Sequence, residues 1–347
     1  MTRKPHAKIS DIAKKLKVSN VTVSKALRGH PDISVETARK IKKLAVEIGY
    51  VPNLMARNLS ARHSNTIGLV VPKIAHFFFS TVIEAIYDAA FENQYEIILT
   101  VSQENAEREA RHIQTLLSMR VDGIIISVSQ QTEDTKIFET IIKRGVPLTF
   151  MDRVLPIKGS NTICADDRGG AFAATEQAIK VGYRKLAHIG GPLHTNIGKS
   201  RLAGFKDAHK QYGLRMDPNY VIHGGFSEEE GYRAFMKWYG TGHLPEFIFA
   251  VSYPVALGVY SAAKELGLVI PRDFDIIAYG SGALNKFLSP QMSYVEQPTN
   301  TLGRVAVELT LENIKNIKEF QPKHMQLPTK LVLGETCRGK NEKSRTS

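Results

Sequence analysis

Ser19, Asn20, Val21, Thr22, Ser24 and Lys25 crowd into seven consecutive positions near the start of the chain. Placed along one short helix in the major groove of a DNA duplex, these residue types can read it. An Asn amide hydrogen-bonds base edges, and a Val side chain suits a thymine methyl. The hydroxyls of Ser19, Thr22 and Ser24 can bind phosphates, which set register rather than sequence. Lys25 can reach a base or a phosphate. No comparable constellation for bond-making chemistry is present. The first apolar run, Ile67–Val71, leads into Pro72, Lys73 and Ile74 without a GxGxxG, and no P-loop, GxSxG or HExxH occurs. The two cysteines, Cys164 and Cys337, have no CxxC partner and read as structural thiols in a reducing cytoplasm. The pair Asp166-Asp167 opens a helix, where capping explains it. These observations predict a protein that is not an enzyme, with no metal site and no cofactor.

A helix must hold the first cluster in place, and the surrounding pattern supplies three. Ser10 caps a segment with apolar residues at Ile9, Ile12, Ala13 and Leu16, the spacing of one helical face. Ser19 caps a second, with Val23, Ala26 and Leu27 inward. The link between them is about four residues, and Ala13 is small enough for a close crossing, so the pair reads as a helix-turn-helix. Ser34 caps a third helix with Arg39, Lys40, Lys42 and Lys43 outside, and Gly49 ends it. The second helix would then enter the major groove by its N-terminal end. Beyond Pro52, Asn53 can cap a further short helix carrying Arg57 and Leu59. It reads as a plain linker or as a hinge that folds on DNA and drives Leu59 into the minor groove as a wedge.

Charge follows the same division. Residues 1–62 hold 14 Lys/Arg and 4 Asp/Glu, residues 338–347 hold 4 and 1, and the 275 residues between hold 28 and 29. A small, folded, strongly basic head on a near-neutral body points to nucleic acid. The polar tail at 339–347 is too short to add a tetramer-forming helix. The absence of an apolar run of 18 or more residues predicts no membrane span, and the N-terminus does not read as a signal peptide.

From Thr66 onward, apolar runs alternate with amphipathic stretches. Strands are predicted at 67–71, 96–101, 123–127, 148–151, 185–189, 247–251 and 275–279. Helices are predicted at 80–92, 107–119, 170–181, 200–212, 228–239 and 255–266. Strict alternation of this kind gives parallel sheets with helices on both faces, in strand numbers that suit two lobes.

The stretches Ile9-Ser10-Asp11-Ile12-Ala13, Val18-Ser19-Asn20-Val21-Thr22-Val23-Ser24-Lys25-Ala26-Leu27, Gly49-Tyr50-Val51-Pro52-Asn53 and Ala56-Arg57-Asn58-Leu59 resemble the headpiece of the lactose-repressor (LacI/GalR) family. Leu16-Lys17 departs from it, because the family usually has Ala-Gly there. The likeness continues through Arg120-Val121-Asp122-Gly123, His188-Ile189-Gly190-Gly191-Pro192, Arg201-Leu202-Ala203-Gly204-Phe205 and Glu296-Gln297-Pro298, covering roughly residues 7–337. It implies an all-α helix-turn-helix headpiece (1–62, hinge about 53–61) plus an α/β periplasmic-binding-protein-like sensor (63–338) of two doubly wound parallel-sheet lobes. Lobe one would span about 63–164 and 296–326, and lobe two about 165–295 and 327–338.

The resemblance further implies a DNA-binding transcription regulator, by family default a repressor. It would act as a homodimer at a near-palindromic double-stranded operator, under control of a small-molecule effector (a sugar, a sugar phosphate or a related metabolite), in the cytoplasm at the nucleoid. DNA contacts would come from Ser10, Ser19, Asn20, Val21, Thr22, Ser24, Lys25, Asn53, Arg57 and Leu59. By family position the effector cleft would hold Phe78, Phe79, Asp152, Arg201, Phe226, Ser252, Tyr253, Gly280 and Gln297. Two departures stand out there: Ser252-Tyr253 where the family usually has Asn-Asp, and Gly280 where it usually has Asp. Loss of two carboxylates points away from a pyranose held in the usual way and toward an anionic, phosphorylated or bulkier effector.

Overall fold

The computed structural model describes residues 7–50 except Arg28, and 63–338 except His76 and 317–320. Asn53, Arg57, Leu59 and the tail 339–347 lie outside the described residues. The chain divides between Ser64 and Asn65 into two compact units.

The first unit contains three helices, α1 (Ile9–Leu16), α2 (Asn20–Leu27) and α3 (Val35–Glu47). Ile12, Ala13, Val23, Ala26, Ile41 and Ala45 form its buried core, one pair from each helix. Ser19 and Ser34 cap α2 and α3 as their positions predict. The Ser19 hydroxyl accepts the Thr22 N–H at 3.0 Å, and the Ser34 hydroxyl accepts the Thr37 N–H at 3.3 Å. The first helix differs from expectation. It starts two residues earlier, with Lys8 as N-cap, and the Asp11 carboxylate accepts the Lys8 N–H at 2.8 Å. Ser10 therefore sits inside the first turn rather than capping it, because an acid three residues into the helix closes the end by itself.

The turn between α1 and α2 passes through Lys17 at φ 53°. This is a left-handed conformation that a side chain enters at a cost and glycine enters freely. Lys17→Gly is accordingly expected to raise the headpiece's stability by about 0.5–1 kcal/mol, read as a higher thermal midpoint. A fall would show that the lysine side chain contributes more than its backbone costs.

The second unit is built on two six-stranded sheets. In chain order its elements are β1 (Thr66–Val71), α4 (Phe77–Glu92), β2 (Glu96–Val101), α5 (Ala106–Ser118), β3 (Gly123–Ile126), α6 (Lys136–Lys143), β4 (Leu148–Met151) and β5 (Asn161–Ala165). They continue with α7 (Asp167–Lys180), β6 (Leu186–Gly190), α8 (Asn196–Gln211), β7 (Val221–His223), α9 (Glu228–Gly240), β8 (Phe247–Ala250), α10 (Tyr253–Glu265) and β9 (Asp275–Gly280). The last are α11 (Gly282–Asn285), β10 (Ser293–Glu296), α12 (Thr299–Lys315), β11 (His324–Leu327) and β12 (Lys330–Val332).

The sheet orders are β11-β5-β4-β3-β1-β2 and β12-β10-β9-β8-β6-β7. Each repeats the same doubly wound path, stepping outward to one neighbour and then crossing back over the first strand. Pairing is parallel throughout except at β10–β12, where the final strand runs antiparallel along the edge. The central strands β3, β4, β6 and β8 are buried at every residue, as strands covered on both faces must be. Helices α4 and α12 cover one face of the first sheet, and α5 and α6 the other. Helices α9 and α10 cover one face of the second, and α7 and α8 the other. The chain returns to the first sheet after β10, through α12 and β11, before ending in the second with β12. Among the described residues, no helix is long and apolar enough to cross a membrane.

Candidate functional site

On the headpiece, Ser19, Asn20 and Val21 are exposed at the N-terminal end of α2, and Val21 keeps 64% of its surface. Val35 and Val46 of α3 are more exposed still, so it is the place of Val21 at the start of α2, not its exposure alone, that makes it available to a partner. Thr22 and Ser24 are half-buried on the same helix. The Thr22 hydroxyl already shares a hydrogen bond with Ser19 at 2.9 Å. Lys25 is less available than its position suggests, because its ammonium is paired with Asp32 at 2.7 Å. Ser10 is half-buried on α1. Around them, Lys14, Lys15, Lys17, Arg39, Lys42 and Lys43 are exposed.

In the second unit the carboxyl ends of both sheets face a cavity of about 440 Å³. This is where doubly wound sheets place their ligands. The turn after β1 and the start of α4 bring Lys73, Phe78 and Phe79, and the turn after β4 brings Asp152 and Arg153. Arg201 projects from α8, and Phe226 and Glu228 lead into α9. Ser252 and Tyr253 follow β8, Tyr279 and Gly280 close β9, and Gln297 follows β10. All nine residues assigned to the cleft by resemblance line this one cavity. Lys73, Arg153, Glu228, Tyr279 and Ser281 line it as well and were not foreseen. Arg153 was within reach of sequence reasoning, since it follows Asp152 directly.

Arg201 does not sit open to the cavity as a lone cation. It is 3% exposed and its Nε and Nη2 donate to one oxygen of Asp167 at 2.8 and 2.6 Å. Its Nη1 donates to the Val251 carbonyl, and its guanidinium lies 3.4 Å over the Tyr279 ring. Asp167 is therefore not a helix cap. Asp166 alone caps α7, accepting the Gly169 N–H at 2.9 Å. Arg153 is treated similarly: Glu104 accepts from its Nη1 at 2.8 Å, and its guanidinium lies 4.5 Å over the Phe226 ring. That stacking joins a residue of the first sheet's turns to one of the second's. Asn196 adds two hydrogen bonds across the same gap, accepting the Val154 N–H at 3.1 Å and donating to the Asp152 carbonyl at 2.9 Å.

Asp152 itself is held at φ 62°, a strained backbone state that concentrates at functional sites. It is 7% exposed, and one carboxylate oxygen accepts the Ser127 hydroxyl at 3.3 Å. Burial pushes its carboxyl up to about 6. Behind the cavity, Glu109 accepts the Ser129 N–H at 2.6 Å and the Thr132 hydroxyl at 2.7 Å, and burial pushes it up to about 7.

In both groups the folded chain binds a proton more tightly than the unfolded chain, where carboxyls titrate near 4. The stability this gives is complete below about pH 4 and is lost as pH rises through 6 and 7. The second unit is thus expected to melt at a higher temperature at pH 5 than at pH 8, with Glu109→Gln removing much of the difference. A wild-type midpoint that rises over that interval would refute it.

A family model for "Bacterial regulatory proteins, lacI family" matches residues 8–53, and one for a "Periplasmic binding protein-like domain" matches residues 175–337. The ribose operon repressor of Haemophilus influenzae is 31% identical over 331 residues, covering 95% of this chain and 97% of that protein. The transcriptional repressor PurR of Escherichia fergusonii is 30% identical over 330 residues, covering 94% and 95%. The crystal structure of the lac repressor dimer bound to operator and the anti-inducer ONPF matches with a TM-score of 0.82 at 23% identity, over 96% of this chain and 99% of that one. It shares the fold. The chain belongs to the lacI family of bacterial regulatory proteins. It is a DNA-binding transcription regulator rather than an enzyme.

Proposed function

We propose that this chain is a repressor that binds a near-palindromic operator as a homodimer, and that a small molecule in the 440 Å³ cavity sets its grip on DNA. The observation that carries this reading is the cavity itself. Its walls come from the carboxyl ends of two separate sheets, so a ligand that fills it bears on the angle between them. In this reading 1–62 is the DNA-binding headpiece with its hinge, and 63–338 is the sensor. Ser10, Ser19, Asn20, Val21, Thr22, Ser24 and Lys25 contact DNA, with Asn53, Arg57 and Leu59 of the hinge. Phe78, Phe79, Asp152, Arg201, Phe226, Ser252, Tyr253, Gly280 and Gln297 contact the effector. The protein works in the cytoplasm at the nucleoid.

Pairing of two copies through the sensor is supported by an apolar face. Tyr87 and Phe91 of α4 are 42% and 80% exposed beside the edge strand β2, whose Ile97, Leu99 and Val101 are only half-buried. A two-fold pair presents two headpieces to two half-sites.

The test is in-vitro selection of double-stranded DNA by the full chain at two salt concentrations, beside the 63–347 truncation. The expected result is one palindrome enriched by the full chain alone, with affinity falling steeply as salt rises. On that DNA, Asn20→Ala is expected to cost about 1–2 kcal/mol and to relax the preference at one base pair. Equal enrichment by the truncation would remove the headpiece from the account.

A further inference from the structure

This inference rests on the reading that the cavity holds the effector, and it concerns the chemistry of that molecule. Tyr253 opens α10 and Gly280 closes β9, and they share one space. A Cβ built on Gly280 would lie 2.7 Å from the Tyr253 ring, so any side chain at 280 would displace the phenol. The glycine is what admits the ring to the cavity wall. Once there, the Tyr253 hydroxyl is buried without a hydrogen-bond partner among the described residues, a state that is costly unless something arrives to satisfy it. Asp152 is complementary. One of its oxygens accepts from Ser127, and the other has no partner among the described residues. The cavity therefore offers one buried hydroxyl and one buried acceptor to whatever enters.

The charges limit what that is. Arg201 and Arg153 line the cavity, yet each is paired with a buried or nearly buried carboxylate, Asp167 or Glu104, at 2.6 and 2.8 Å. Each reaches the cavity as a neutral pair. Among the described residues, the lining cation that remains uncommitted is Lys73, and the wall also carries Asp152 and Glu228. A phosphate would bring close to two negative charges to a wall with one such cation and two acids, which reverses the expectation of an anionic or phosphorylated effector drawn from the two absent carboxylates.

We propose that the effector is an uncharged ring compound that lies against Tyr253, shares a hydrogen bond with its hydroxyl and donates one to Asp152, and that phosphorylated counterparts are excluded. The aromatic walls give the ring its contact area, and the two polar groups fix its orientation.

The test titrates the full-length chain by calorimetry with matched pairs: ribose and ribose 5-phosphate, glucose and glucose 6-phosphate, adenosine and adenosine monophosphate, cytidine and cytidine monophosphate, and the free bases. Tyr253→Phe and Asp152→Asn are titrated in parallel, and thermal melts confirm that both fold. The expected result is binding of at least one uncharged compound, at least tenfold weaker binding of its phosphate ester, and at least tenfold weakening in each variant. Phosphate esters that bind as tightly or more tightly, and that lose affinity in the variants, keep the cavity and overturn the class. A compound whose affinity neither variant changes binds elsewhere, which overturns the cavity as effector site. A panel in which no uncharged ring binds overturns the proposal.

Discussion

Asp167→Ala is expected to lower the unfolding free energy of the sensor by about 3–5 kcal/mol and to abolish any response of DNA binding to the effector. The magnitude follows from what the mutation leaves behind. Arg201 and Asp167 are 3% and 4% exposed. The carboxylate is the counter-charge to a guanidinium that cannot lose its proton. Removing one partner of a buried pair leaves an uncompensated charge in a poorly hydrated site, and that costs several kcal/mol. The pair also holds more than itself. Tyr279 lies under the guanidinium, and its hydroxyl donates to the Asp167 backbone carbonyl at 2.6 Å, a bond the substitution leaves in place; what is lost is the counter-charge that fixes the Arg201 guanidinium over this ring of the cavity wall. Denaturant unfolding measures the stability. The control is Asp167→Leu with Arg201→Met, which removes both charges together. It should recover much of the lost stability without restoring the effector response. A single-mutant loss below about 1 kcal/mol would place the pair in water and undo the argument.

That pairing also marks where reading the sequence stops. The apolar runs at 67–71, 148–151 and 247–251 announce central strands because burial on both faces demands nearly unbroken Val, Ile, Leu and Phe. Strands β7, β11 and β12 are at or near sheet edges, short and partly exposed, and β11 is exposed at three of its four residues. Nothing in such a segment separates it from a loop until its neighbour is known. Strand β5 alternates buried and half-buried residues over five positions, too brief a period to stand out. Helix α6 was missed although Phe138 and Ile141 bury its inner face, since eight residues give barely two turns of pattern. The cavity's lining was legible in outline because it follows strand ends, and strand ends follow from the alternation. The partners of its arginines were not. Glu104 is 49 residues from Arg153 and Asp167 is 34 from Arg201. Local spacing therefore favoured a cap for Asp167, which lies beside the true cap Asp166.

Gly258→Ala is expected to cost about 3 kcal/mol and to weaken effector binding, although neither the glycine nor its new methyl group would touch the cavity. Helices α9 and α10 cross with a glycine from each at the contact. A Cβ on Gly231 would fall far inside van der Waals distance of the Val255 carbonyl, and one on Gly258 would do the same to the Glu228 carbonyl. Backbone atoms cannot rotate aside as a side chain can, so the helices must separate, which takes the cost to the upper end of the overpacking range. The same helices begin at Glu228 and Tyr253, both in the cavity wall. Separation at the crossing therefore moves opposite sides of the site. Gly231→Ala should act in the same way. Because both changes push the same pair of helices apart, the double variant should cost less than the sum of the two. Gly240, the last residue of α9, has open space where its Cβ would be. Gly240→Ala should be neutral or stabilising by up to about 1 kcal/mol. Paired melts and titrations of these variants separate the crossing from a general intolerance of alanine. Equal behaviour at 240 and 258 would show that helix propensity, not the close approach, sets the response.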